Sequence, residues 1–210
     1  IIFLFVLYAS FIYGLVFLLI TSVSLEFEQV HHFTHVTGYI PLFAIFVGFL
    51  IGGGLNVLQS RRFAKLQDKL GRKPDPEERL YCMMFFGWFI PCGMFLYGWT
   101  MKSWIHWFVP CVGLGFVGGG IAIVFQGCLI YMVDVYTKYS ASAIAANTMM
   151  RSIFGGVFPL FAIQMFKGLG VHWASSLLAF VGLALCPVPW LFRLFGARIR
   201  AHDPFKSRLT

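Results

Sequence analysis

Few residues in this chain could do chemistry, and the informative ones stand inside apolar stretches. Arg151 sits in ANTMMRSIF, Gln126 in IVFQGCL and Asn147 in IAANTMM. A charge near the centre of a bilayer costs about 2.5–3.5 kcal/mol on insertion scales, and a guanidinium stays charged at any physiological pH. If these stretches lie in lipid, Arg151 must therefore face a watery cavity, a carbonyl cluster or an acid. Asn147 and Arg151 are spaced i, i+4 and share one helix face, as do Gln126, Ile130 and Asp134. Tyr8, Tyr13, Asn56 and Tyr131 are milder cases of polar groups in apolar runs. Tyr8, Gln126, Asn147 and Arg151 are read as lining a substrate cavity; hydrogen bonding between neighbouring helices accounts for the two amides equally well. No acidic residue is read deep in any run, so proton coupling is not assigned to a residue of this chain.

Other constellations fall away. HHFTH, from His31 to His35, suggests a metal because imidazole is the commonest transition-metal ligand. Histidine-box membrane enzymes carry several separated boxes, however, whereas this chain has six His and one cluster. LGRKPDPEERL lacks the glycine-rich turn from strand to helix that cradles a nucleotide. No metal, no cofactor and no catalytic residue is expected, and the chain is not read as an enzyme. The five cysteines, Cys82, Cys92, Cys111, Cys128 and Cys186, fall inside apolar runs where a thiol behaves as a small hydrophobe.

The elements that must position these residues follow from composition. Of 210 residues 59% are hydrophobic and 11% charged, against about 45–50% and 25% in soluble domains. An all-α integral membrane protein is implied. The apolar stretches are continuous and not alternating, which speaks against an outer-membrane barrel. Six runs, about 1–22, 38–58, 81–100, 104–133, 140–166 and 171–192, each suffice for a span of about 20 residues. They leave a polar loop 59–80 and a tail 193–210.

Charge sets the orientation. Loop 59–80 carries Arg61, Arg62, Lys65, Lys69, Arg72, Lys73 and Arg79, and the tail carries Arg193, Arg198, Arg200, Lys206 and Arg208. The positive-inside rule puts both in the cytoplasm, with both termini. Lys138 joins them there, while only Lys102 and Lys167 fall outside. The formal charge of +8 thus reflects juxtamembrane positives and not a nucleic-acid surface. The outer loop from Ser22 to Thr37 is expected to hold Glu26, Glu28 and the histidine cluster. Trp99, Trp104, Trp107 and Trp173 lie near predicted outer boundaries, as an aromatic belt would. GLGFVGGG (Gly113 to Gly120) and ASAIAAN, followed by Gly155, Gly156 and Pro159, suit close helix packing in lipid. Asp134 and the pair Arg61 and Arg62 end their runs on the same side, which makes them an inner gate. Gln126 and Asn147, each eight residues from an inner end, are expected at one depth, about 12 Å in.

The residues also carry a family resemblance. LYASFIYGLVFLL, PDPEERL, PCGMFLYGWT, VDVYTKYSASAIAANTMMRSIFGGVFPLFA, GVHWASSLLAF and PVPWLF, in this order and spacing, resemble the C-terminal six helices of fungal major facilitator transporters of the drug:proton antiporter family. AKLQDKLGRK resembles the cytoplasmic signature loop of that superfamily, with Ala64 in place of the usual leading Gly. The resemblance implies one half of a twelve-helix transporter in the plasma membrane that exports drugs, polyamines or secondary metabolites by alternating access, with the proton gradient as driving force. Its partners would be membrane lipid, an N-terminal six-helix half and a small amphipathic or cationic substrate. Thr21 stands where some members have a Glu. The chain opens at Ile1 inside an apolar run, without Met or a signal-peptide pattern, and reads as starting partway through a longer protein. The alternative is a truncated, non-transporting membrane protein or interaction scaffold.

Overall fold

The structure, a computed structural model, describes residues 2–31, 37–70, 80–135, 140–191 and 193. In lipid a backbone must satisfy its own hydrogen bonds, and the long apolar runs accordingly form helices, with no strand among the described residues. In chain order these are α1 (Ile2–His31), a 3-10 turn (Thr37–Tyr39), α2 (Ile40–Leu70), α3 (Leu80–Phe86), α4 (Phe89–Thr100), α5 (Phe108–Val135) and α6 (Ser140–Leu185). Among the described residues five helical stretches are long and apolar enough to cross a membrane, the fifth being the 52-residue stretch Ser140–Leu191.

Several boundaries differ from the sequence reading. The first helix was expected to end near residue 22 but continues to His31. Val23 and Phe27 are fully buried on the face that also carries Leu19, so the helical period runs on through the residues LEFEQ, where the first charges suggested a loop. Similarly α2 continues past residue 58 to Leu70, held by the buried Phe63. The expected run 81–100 is broken at Gly87 and Trp88 into α3 and α4. Pro91 is the cause, since its ring excludes the carbonyl four residues back and it has no N–H to offer it. That carbonyl, of Gly87, instead accepts from the backbone N–H of Ile90 at 3.3 Å and the Cys186 thiol at 3.5 Å. The start of α5 shifts from 104 to Phe108, leaving Trp104 exposed in the turn before it.

Within α6, Gly170 adopts φ 76° and ψ 161°, a conformation that L side chains rarely take. The chain turns back there. Beyond it, His172 and Ser176 meet the end of α4 through Gly98 and Trp99. At the far end Arg193 stacks on the Tyr81 ring at the start of α3, 4.0 Å from its centroid, and its guanidinium donates to the Tyr81 hydroxyl.

The helices pair α2 with α5, α1 with α6, and α4 with α5 and α6. Glycines explain the closest approaches. A Cβ on Gly52 would lie 2.5 Å from the Gly119 carbonyl oxygen, and one on Gly93 2.6 Å from that of Gly113. The small residues of α5 thus serve tight packing, as expected. In α6 the pair divides: a Cβ on Gly155 would lie 3.2 Å from the Tyr13 ring of α1, whereas one on Gly156 would meet nothing within 4 Å. The buried core is shared by α1, α3, α4, α5 and α6, from Leu15 and Leu19 through Met83 and Met94 to Val117 and Leu178.

Candidate functional site

Arg151 is held at the meeting of three helices. Its guanidinium lies over the Tyr13 ring of α1, 4.7 Å from the centroid, and over the Phe125 ring of α5, 5.2 Å away. The two rings are themselves 6.1 Å apart. Arg151 is half-buried and has no acid beside it among the described residues. Ring quadrupoles supply the negative potential that a carboxylate would otherwise give, each such stack being worth about 0.5–1 kcal/mol when exposed and more when desolvated. The cation therefore keeps its charge available on its open side. By helical rise it lies about 16 Å along α6 from Ser140, near the middle of a core about 30 Å thick.

The other proposed cavity residues divide. Gln126 is half-buried and lines a hollow of about 590 Å³ between α2 and α5, together with Asn56, Ser60 and Arg61. The Asn56 amide donates to the Gly52 carbonyl at 3.3 Å and to that of Ala122 at 3.4 Å, joining the two helices at the roof of this hollow. A gate residue and a cavity residue from the sequence reading, Arg61 and Gln126, thus share one hollow. Tyr8 instead lies in the core, 3% exposed, with its hydroxyl near Gly87 and beside Cys128 and Cys186. Asn147 is fully buried, and neither atom of its amide has a hydrogen-bond partner among the described residues. It is therefore not bonded to Gln126, although both were expected at one depth. Its neighbours in the helix, Ala143 and Met150, cluster with Val6 and Met132.

Arg61 and Arg62 are exposed at the end of α2, and Asp134 is half-buried at the end of α5. Of HHFTH, His32 to His35 lie outside the described residues, as do loop residues 71–79. Among the described residues no three His, Cys, Asp or Glu side chains are grouped to hold a metal ion.

Two groups escaped the sequence reading. Phe125 carried no signal, since an aromatic in an apolar run is ordinary. Glu26 was placed in a loop; it is 4% exposed and accepts a hydrogen bond from the Tyr97 hydroxyl of α4. A second large hollow, about 520 Å³, is apolar throughout, with Phe43, Val47, Phe89, Trp107 and Phe116 in its walls. It offers nothing to orient a polar ligand.

Long apolar helices with a charged residue stacked deep between three of them define a class: a multi-pass helical membrane protein. The comparisons with known proteins agree. The chain is 42% identical over 207 residues to the major facilitator superfamily multidrug transporter FLU1 of Candida albicans, which covers 98% of this chain and 34% of that protein. It is 40% identical over 208 residues to the major facilitator superfamily multidrug transporter mdrA of Aspergillus fumigatus, with 99% and 34% covered. It is 38% identical over 204 residues to the efflux pump radE of Floropilus chiversii, with 96% and 38% covered. No protein-family profile and no solved structure matches the chain. Nearly the whole chain is thus homologous to major facilitator multidrug transporters of fungi, and it spans about a third of the length of these curated relatives.

Proposed function

We propose that the chain is the C-terminal six-helix half of a twelve-helix, proton-coupled efflux transporter of the plasma membrane, which moves small amphipathic or cationic compounds by alternating access. The observation that carries this reading is Arg151, kept charged and half-open between Tyr13 and Phe125 at mid-depth. Charges inside such helices are costly and mark substrate or ion pathways, and this one has no acid beside it among the described residues.

The length of the fifth stretch supports a count of six spans. Fifty-two residues of helix would reach about 78 Å, more than twice a hydrocarbon core of about 30 Å, and the turn at Gly170 divides them into two passes. With α3 and α4 as a single pass the count is even, so both ends share a side, and the positive charges put that side in the cytoplasm. The exposed apolar side chains of α2, among them Phe43, Phe46, Leu50 and Ile51, would meet lipid or the N-terminal half. Substrate would run past Arg151, Tyr13, Phe125 and Gln126. Tyr8 and Asn147 would join it when the helices part, and Asp134 with Arg61 and Arg62 would close the inner side. Aromatic and apolar walls suit many ligands of one general chemistry.

The test is genetic and broad. Deleting the full-length gene should sensitise the cells to some lipophilic cations or retain a metabolite inside them, and the parental gene should restore both. No change across a wide panel would remove the efflux reading.

A further inference from the structure

Glu26 is the buried titratable group that the transport path described above leaves unused. It projects from α1 about 8 Å before the helix ends at His31. One oxygen, Oε2, accepts from the hydroxyl of Tyr97, itself fully buried, and the other, Oε1, is buried without a well-aligned hydrogen bond among the described residues. Ser22, one turn back on the same face, is also buried, with its hydroxyl beside the Glu26 carboxyl and near enough to bond it. The titratable groups nearby are Tyr97 of α4, Cys111 of α5 against Tyr97, His172 of α6 at the Gly98 carbonyl, and Glu28 on its own helix against Gly38. No lysine or arginine forms an ion pair with Glu26 among the described residues. A carboxyl so placed is a group whose charge the protein has chosen not to fix.

Its position gives that charge something to do. Helices α1 and α4 otherwise approach each other little along their backbones, so side chains join them, through the shared buried core and, at this end, the bond from Tyr97 to Glu26. A hydrogen bond to an ionised acceptor is roughly twice as strong as one to a neutral acceptor. We propose that Glu26 is a proton-binding site of the transport cycle, and that its protonation loosens the contact between α1 and α4. The chemistry balances simply. A proton from solution at this end adds to Oε1, with Ser22 within one turn to accept the new O–H, while Tyr97 goes on donating to Oε2; release is the reverse, and no other bond changes. The inference rests on the transporter reading and deepens it by placing the coupled ion on this chain.

The experiment uses the full-length protein in proteoliposomes, with rhodamine 6G as probe and an imposed pH gradient. If the parental protein moves no dye under any gradient, the transporter reading fails and this proposal with it. If it does, Glu26→Gln should lose the response to the gradient while dye still equilibrates downhill. Gradient-driven accumulation by Glu26→Gln equal to the parent's would overturn the proposal and leave the transporter reading standing. Should that variant not fold, Tyr97→Phe, which removes only the hydroxyl, is expected to shift the pH midpoint of transport, and an unmoved midpoint would likewise overturn it.

Discussion

Replacing Arg151 by Ala removes two ring stacks, at 4.7 Å and 5.2 Å, and the charge they hold. Because Arg151 is half-open, each stack is worth about 0.5–1 kcal/mol, so together they hold the guanidinium in place by about 1–2 kcal/mol, a factor of about 5–30 in population. Export should fall by at least that factor in the Ala variant, since the charge itself also goes. Arg151→Lys keeps the charge but offers a compact ammonium where a planar group lay across two rings, and it should retain part of the rate. The assay is dye export per transporter in cells lacking the parental gene, with surface abundance measured alongside. Because Tyr13 and Arg151 touch, Tyr13→Leu and Arg151→Ala should be non-additive. Parental export by Arg151→Ala at normal abundance would refute the reasoning. Loss of both Arg151 variants from the membrane would show that the residue is a structural hub and nothing more.

Further outcomes follow from the same geometry. Gly52→Ala forces a Cβ to 2.5 Å from the Gly119 carbonyl oxygen and should cost about 1–3 kcal/mol, read as a lower melting temperature in detergent, whereas Gly156→Ala should be neutral. Asn147→Leu removes a buried amide without partners among the described residues, whose burial costs about 1–3 kcal/mol, so thermal stability should hold or rise; a clear drop would reveal a bond to another part of the protein. Reversing the charge at Asp134 should favour the inward-open state, because a pair of Asp134 with the exposed Arg61 and Arg62 at the membrane surface would be worth only about 0–1 kcal/mol and is easily tipped. Labelling of cytoplasmic cavity cysteines should then rise, and exchanging charges with Arg61 and Arg62 should restore it.

What could be read from the sequence depended on which forces act locally. Helix existence and order were legible because lipid permits little else to a continuous apolar run, and Arg151 stood out because a charge in such a run is costly. The ends of α1 and α2 were not, since polar residues at a membrane surface continue a helix as readily as they leave it, and only the buried faces of Phe27 and Phe63 decide. The break at Gly87 was foreshadowed by Pro91 but hidden within an otherwise uniform run. Glu26 was misplaced for the same reason as the end of α1. Its partner Tyr97 is 71 residues away, and spacing along a chain says nothing about such a meeting. The stacking of Arg151 on Phe125 likewise belongs to the packing of α5 against α6.

The central claim is that this chain is half of a machine that drives amphipathic compounds outward with protons. The most direct measurement is time-resolved rhodamine 6G movement into inverted vesicles holding the full-length protein, with and without an imposed pH gradient, parent beside Arg151→Ala. The account predicts gradient-dependent accumulation by the parent, abolished by a protonophore and strongly reduced in the variant. Dye movement that ignores the gradient, or that proceeds equally well without Arg151, would contradict it.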